Sequence, residues 1–240
     1  MIKFFRRIRR QFLSENKFGK YLLYALGEIL LVVIGILIAI QINNWNEYKK
    51  DRIVEKKVLE GLAKNLEMNI ERFETRLRNI KRYSKSGEII LSIIENKRGE
   101  TDTLRQHWNW ALINGSGEII TLAGYEGLKD IGFEIISNEV VKDEIINLYE
   151  DTYLLQLNHR QGWGTEVKPN ADKYITEHFS WNTISRERVP HDYRFIINDN
   201  YFIGLVKTAA LQRVYITDAL NKSLKESQRV LQLIKDELKE

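Results

Sequence analysis

The sequence of 240 residues contains no cysteine and only two prolines, and both features narrow what the protein can be. Without cysteine the chain forms no disulfide, offers no thiolate nucleophile and builds no Cys-based zinc site. This fits a reducing compartment and a disulfide-free envelope protein equally well. The scarcity of proline, together with 29% charged residues, favours long helices over a strand-rich sandwich.

Excess positive charge is confined to the start of the chain. Residues 1–20 carry seven Lys or Arg against one Glu, a net charge of +6, whereas residues 43–240 have a net charge of −1. A protein that binds nucleic acid needs a basic surface to meet the phosphates. The near-neutral large part therefore argues against a nucleic-acid partner.

One long apolar run, Tyr21–Ile42, predicts a membrane-spanning helix. Its single charged residue is Glu28. A helix of this length covers about 33 Å, and a hydrocarbon core is about 30 Å thick. The run is long for a signal peptide and no A-x-A-like cleavage site follows it, so we expect an uncleaved anchor. The lipid bilayer is thus the first expected partner.

The basic segment 1–20 sets the expected orientation. Phe5, Ile8 and Phe12 recur at helical spacing among four arginines, as in an amphipathic helix on an anionic leaflet, although the charges can equally serve only to fix topology. By the positive-inside rule the excess of Lys and Arg places this arm in the cytoplasm. Residues 43–240 are then expected outside the inner membrane, in the periplasm.

A polar and small-residue face runs along the predicted span. Glu28, Gly35, Ala39 and Ile42 follow one another at helical spacing, and Gly35 with Ala39 forms a small-xxx-small pair that lets a second helix approach closely. We interpret Glu28, Gly35 and Ala39 as an intramembrane packing face toward a second copy or another membrane protein. The alternative is a lipid-facing anchor that tolerates a carboxyl group near its end.

Residues 27–47, GEILLVVIGILIAIQINNWNE, resemble the N-terminal signature of a family of uncharacterised bacterial membrane proteins known only as a domain of unknown function. A looser similarity follows at Tyr125–Gly132 and Ile135–Tyr149. The resemblance implies a single-span protein of the bacterial inner membrane. It brings no activity, cofactor or catalytic residue.

The predicted fold class is all-α, with the transmembrane helix followed by a helical-bundle ectodomain of two long antiparallel helices and several short ones. The first long helix is a stalk over about 46–95, whose apolar stripe is Leu59, Leu62, Leu66, Ile70, Phe73, Leu77 and Ile80. Short helices occupy about 101–182, and the last long helix about 200–238.

Caps and glycines predict the shorter elements. The expected N-caps are Thr101 or Asp102, Ser137 or Asn138, and Asn198, Asp199 or Asn200. The expected helix ends are Asn96–Gly99, Gly132 and Gly162–Gly164. Residues 170–182 are expected to be helical, and residues 183–199 to form a loop with a short strand at 193–197.

No catalytic, phosphate-binding or metal-binding motif is present, and we predict no cofactor, no metal and no catalytic residue. A site assembled from His159, His178 and His191 has a low prior. An aromatic cluster in the distal half is expected to be core rather than a ligand pocket; its members are Trp108, Trp110, Tyr125, Tyr149, Tyr153, Trp163, Tyr174, Phe179 and Trp181.

Two functions follow from these patterns. The first is a membrane-anchored interaction, scaffold or sensing module whose ligand is unknown. The second is an envelope hydrolase that uses carboxylates such as Glu118, Glu126 or Glu139 in a distal cleft. A cleft with paired carboxylates of perturbed pKa favours the hydrolase, and a filled aromatic core favours the module.

Overall fold

The computed structural model describes residues 18–113, 120–182, 184 and 187–239, so most of the basic arm lies outside the described residues. By its internal contacts the chain divides into two units, Met1–Val54 and Glu55–Glu240. About 85% of the described residues are helical, which confirms the all-α class in its broad form. Helix α1 spans Phe18–Glu95 and ends directly before the predicted stop at Asn96.

Two short helices follow α1. They are α2 (Arg105–Ala111) and α3 (Ala123–Ile131), with 3-10 turns at Asp102–Leu104 and Phe133–Ile135. Gly132 closes α3 as expected, with a φ of 105° that favours glycine. The predicted cap at Thr101 or Asp102 is wrong. The chain enters α2 through a 3-10 turn, so Leu104 takes the N-cap position, and its side chain makes no cap bond.

Residues 139–178 form a nearly continuous helix of alternating α and π segments. The order is α4 (Glu139–Asn147), π Leu148–Thr152, α5 (Tyr153–Gly162), π Trp163–Val167 and α6 (Lys168–His178). The Asn138 side chain caps α4 by accepting from the N–H groups of Val140 and Val141.

The π turn at Leu148–Thr152 follows from the spacing of the buried residues. The apolar face of this region repeats every four residues, at Val141, Ile145, Tyr149, Tyr153 and Leu157. In an α-helix five such positions drift by about 160° around the axis, because each step of four advances about 40°. A wider turn in the middle removes part of that drift and keeps Tyr149 and Tyr153 in the core.

The predicted break at Gly162–Gly164 is wrong. The second π segment carries the helix through these glycines, and Pro169 lies in the first turn of α6, where its missing N–H is not needed. Two glycines cost a helix about 2 kcal/mol in intrinsic propensity, an amount that tertiary packing commonly overrides.

A β-hairpin replaces two other predictions in this region. Strands β1 (Phe179–Asn182) and β2 (Glu187–Pro190) pair antiparallel, with Phe179 opposite Pro190. The helix predicted over 170–182 therefore ends at His178, where backbone pairing with β2 takes over. The strand predicted at 193–197 is wrong, because Asp192 caps a short helix, α7 (Tyr193–Ile196), through its carboxylate and the N–H of Phe195 (3.0 Å).

The last helix, α8, spans Asn200–Glu237 and is capped by Asp199, one of the three expected residues. Within the second unit it runs in the opposite direction to α1. Lys235, near the end of α8, forms an ion pair with Glu67 at 2.7 Å. Arg213, which comes earlier in α8, lies against Gly87, which comes later in α1, so the two helices are antiparallel here.

The second unit has two separate hydrophobic cores. The first core lies among the middle of α1, the helix from 139 to 157 and the C-terminal half of α8, and includes Leu62, Phe73, Ile145 and Val230. The second core lies among the end of α1, α2, α6, the hairpin and the start of α8, and is centred on Trp108 and Phe202.

Arg213 of α8 is buried at the C-terminal end of α2. Its Nη2 donates to the carbonyl oxygens of Trp110 (3.2 Å) and Ala111, which lie in the last turn of the helix. A cation is favoured at this end by the helix dipole. Burial nevertheless lowers the pKa of Arg213 to about 10. A Cβ added at Gly87 would lie 2.9 Å from Nη1 of Arg213, so the guanidinium occupies the space that glycine leaves.

The contact between Arg213 and Gly87 gives a substitution test with an internal control. Gly61 also lies inside α1, but an added Cβ there meets nothing within 4 Å. Gly61→Ala is expected to raise the free energy of unfolding by about 0.5–1 kcal/mol, and Gly87→Ala to lower it. In an Arg213→Met background Gly87→Ala should become favourable. Thermal unfolding of the full chain in detergent measures both effects. Equal gains from the two alanines in the wild-type background would contradict the contact.

Candidate functional site

The surface of α1 from Leu22 to Ile42 is apolar apart from Glu28 and Gln41. Its Leu, Ile and Val residues are between 44% and 74% exposed in the single chain. Among the described residues, α1 is the one helix with a stretch long and apolar enough to cross a membrane, as judged by length and composition. An exposed apolar surface of this extent marks a contact with a partner or with lipid.

The three residues predicted to form a packing face lie within this exposed segment. Glu28, Gly35 and Ala39 are all exposed, and an added Cβ at Gly35 meets no atom within 4 Å. Spacings of seven and four residues place them on one side of the helix. Within the described chain this face is open, so the packing interpretation stays a prediction.

Polar and aromatic residues follow directly after the apolar segment. The Lys49 ammonium lies 3.6 Å from the centre of the Trp45 ring, and the Asn43 amide donates to Glu47 at 3.1 Å. Both contacts link residues four apart on one helix face. A half-exposed tryptophan beside a lysine is typical of the belt where a membrane meets water.

The carboxylates named for a hydrolase do not form a described acid–base pair. Glu118 lies outside the described residues. Glu126 is exposed in the first turn of α3, and Glu139 is ion-paired with Lys142 at 2.7 Å. Lys142 also contacts Glu134 at 3.4 Å, so Glu139 belongs to an ion-pair cluster around a lysine.

Two of the histidines, His107 and His178, pack against other side chains, and His191 is exposed. Nδ1 of His107 lies 3.1 Å from the Ser86 hydroxyl, and burial lowers the pKa of His107. The ring of His178 packs on Tyr174 and Phe195, with centroid distances of 4.3 and 5.3 Å. The described residues contain no group of three or more His, Asp or Glu side chains suited to a metal ion, and the side chain of His159 lies outside them.

The predicted aromatic cluster is divided between the two cores. Tyr125, Tyr149 and Tyr153 belong to the first core, and Trp108, Tyr174 and Phe179 to the second. The remaining tryptophans differ: Trp110 stacks on Tyr83 at 5.2 Å, Trp181 is half-exposed beside Arg188, and the Trp163 side chain is not described.

Three tyrosines of the first core stack in a row. The rings of Tyr125 and Tyr149 are parallel with centroids 4.4 Å apart, and Tyr153 meets Tyr149 edge-on at 5.0 Å. The Tyr125 hydroxyl donates to Glu150 at 2.7 Å. Burial and then this bond to a carboxylate raise the pKa of Tyr125, and burial also raises that of Tyr149. All three phenols therefore stay protonated at neutral pH.

Tyr153 and Tyr149 differ in how their hydroxyls are paired. Ser227 donates to the carbonyl of Ser223 (2.6 Å), so Tyr153 is the donor in its own 2.7 Å bond with Ser227. Burial raises the pKa of Tyr153 to about 12. The buried Tyr149 hydroxyl has no hydrogen-bond partner among the described residues.

The heptad-like spacing of the last helix included Ser227, but sequence patterns missed the other polar residues that sit among these rings. Asn69, Gln156, Ser223 and Ser227 are all buried in or beside the first core. Each lies within a helix and carries a polar side chain, which by itself predicts a solvent-facing position. Their one detectable signal is that they fall on the same faces as the apolar stripes.

The unequal pairing of the two hydroxyls predicts opposite effects of two matched substitutions. Tyr153→Phe removes a satisfied hydrogen bond and should lower the free energy of unfolding by about 1 kcal/mol. Tyr149→Phe removes a buried unpaired hydroxyl and should leave stability unchanged or raise it. Both variants keep the ring stack, so near-ultraviolet circular dichroism reports intact packing while denaturant titration measures stability. A larger loss for Tyr149→Phe would show that its hydroxyl has a partner.

Comparison with known proteins identifies similarity in one segment. A family model described as a family of unknown function, DUF6090, matches residues 28–103. No curated protein and no solved structure matches the chain. The matched segment begins at Glu28 and includes most of the exposed apolar stretch and the end of α1. The expected similarity to a family of unknown function is thus confirmed over this part of the chain.

Proposed function

We propose that the protein is a single-span component of a bacterial inner membrane and acts there as an interaction or scaffold module. Residues 1–20 lie in the cytoplasm, residues 21–42 cross the membrane and residues 43–240 form the periplasmic part, including two long antiparallel helices. The observation that carries the proposal is the surface of Leu22–Ile42, on which every Leu, Ile and Val side chain is at least 44% exposed.

The energetics of this segment favour a bilayer. It contains fourteen Leu, Ile and Val residues, and each favours insertion by roughly 0.3–0.6 kcal/mol at the helix centre. Their sum is about 4–8 kcal/mol, and an acidic residue at the centre costs about 2.5–3.5 kcal/mol. Glu28 lies nearer one end of the segment, where that cost is smaller. Insertion is therefore favourable with the carboxyl group present.

The second unit supports a module over a hydrolase. Its aromatic residues fill two cores, and Glu139 is held by Lys142. A scaffold needs a stable surface and a fixed location at the membrane. The packed second unit is compatible with the first requirement, and the apolar segment Leu22–Ile42 with the second. Sensing requires in addition a partner in the membrane that carries the signal.

The proposed orientation predicts the behaviour of two reporters fused to the C-terminus. Alkaline phosphatase is expected to be active there and green fluorescent protein dark, because the first matures in the periplasm and the second in the cytoplasm. Enzyme activity and whole-cell fluorescence, normalised to expression, measure the outcome. A bright fluorescent fusion with inactive phosphatase would place residues 43–240 in the cytoplasm and overturn the orientation.

The packing face predicts a partner within the membrane. Crosslinking of the full chain in native membranes, followed by mass spectrometry, should recover an adduct with a second copy or another membrane protein. Gly35→Leu and Glu28→Leu should each weaken the association by about 1 kcal/mol, or about fivefold.

Ile36→Leu is the matched control, because it lies on another side of the same helix and changes only the branching of an apolar side chain. It should leave the adduct unchanged. Recovery of the wild-type protein alone, or equal adduct from all variants, would contradict a functional packing face.

A further inference from the structure

A cavity of about 430 Å³ lies between the last turns of α1 and the segment that leads into the 3-10 turn at Asp102. Residues from α1 form one wall and residues 98–104 form the other. The whole cavity belongs to the second unit. Its volume lies within the range of about 300–1,000 Å³ that small-molecule sites occupy.

The inner wall of the cavity is apolar. Ile93 and Leu104 are buried members of the second core, and half-buried Ile89 packs beside them. The cavity therefore opens onto a surface fixed by the packing of the core. An apolar group that binds there would be removed from water, and no side chain of the core would have to move.

The outer rim is polar and carries one unbalanced positive charge. Lys85 and Glu88 face each other at 3.5 Å, and both side chains are about 70% exposed. They neutralise each other. The third charged residue of the rim, Arg98, is exposed, and its guanidinium has no ion-pair partner among the described residues.

The backbone holds Arg98 at the rim. Lys97 adopts a left-handed conformation with φ of 47°, which reverses the chain at the end of α1. The N–H of Arg98 then donates to the carbonyl of Ile93 (3.2 Å), as in a Schellman motif. The Tyr193 hydroxyl donates to the carbonyl of Arg98 at 2.5 Å. These two hydrogen bonds, to the N–H and the carbonyl of Arg98, fix the position of its Cα.

Hydroxyl groups add hydrogen-bonding capacity on the same side. Thr101, Thr103 and Ser92 line the cavity, and the hydroxyls of Thr101 and Thr103 lie 2.9 Å apart. Each hydroxyl both donates and accepts, so the pair can donate one bond outward to an anionic oxygen. The rim thus offers a guanidinium fork and a neutral donor above an apolar wall.

We propose that this cavity binds a small monocarboxylate with a short apolar chain. The carboxylate pairs with the guanidinium of Arg98, whose two parallel donors match its geometry. The chain lies on Ile89, Ile93 and Leu104. Inorganic phosphate fits less well, because it leaves the apolar wall uncovered and requires the lysine that Glu88 already neutralises.

The proposal goes beyond the membrane function and does not depend on it, because every residue involved lies in Glu55–Glu240. The test uses the full chain in lipid nanodiscs with isotope-labelled isoleucine δ1-methyl groups. Hexanoate is the probe, and hexanamide is its uncharged equivalent. Saturable shifts are expected for Ile89 and Ile93 with hexanoate, with a dissociation constant in roughly the millimolar range. Ile145 of the first core should not move.

Arg98→Gln should weaken hexanoate binding at least about tenfold, because a charge-assisted bond is lost. Arg82→Gln is the matched control, since it removes an exposed arginine of α1 that does not line the cavity, and it should bind as the wild type does. An unmoved Ile145 signal shows that each variant is folded. Absence of shifts, equal shifts with hexanamide, equal competition by inorganic phosphate, or unchanged binding by Arg98→Gln would each overturn the proposal.

Discussion

Buried hydrogen bonds from α1 side chains to the backbone of later segments hold the second unit in one register. The Asn69 amide both accepts from the N–H of Thr121 (2.8 Å) and donates to its carbonyl (3.2 Å), as a neighbouring strand would. Glu55 accepts from the N–H of Ser137 at 2.8 Å. A buried backbone group without a partner costs about 1–3 kcal/mol. The connecting segments therefore lie against α1 where its side chains supply these partners.

The buried apolar stripe of α1 could be predicted from the sequence, but the hydrogen bonds from its buried polar side chains could not. Leu62, Leu66 and Phe73 fall on the predicted stripe and are fully buried. Asn69 and Glu55 bond to residues 52 and 82 positions away in the chain. No local pattern reveals such a partner, and an isolated Asn or Glu on a helix predicts a solvent-facing position.

The division of the aromatic residues has a similar cause. Tyr149 and Tyr174 are only 25 residues apart in the sequence. Because the chain between them is a nearly continuous helix, they lie roughly 35 Å apart in space. The sequence predicted a break between them at Gly162–Gly164, which would have let them meet. The cavity beside Arg98 could not be predicted from the sequence for a different reason. It depends on a left-handed Lys97, a residue with no marked preference for that conformation.

The π turn at Leu148–Thr152 has a consequence for how relatives of this chain are compared. A π turn contains one residue more than the α turn it replaces. A relative that lacks one residue here can keep both flanking helices and both cores by closing the turn to α geometry. Tyr149 would then rotate away from Tyr125, and the stacked tyrosines would be lost while the fold remained. A single-residue gap at this position therefore separates chains that share the architecture from chains that share this aromatic core.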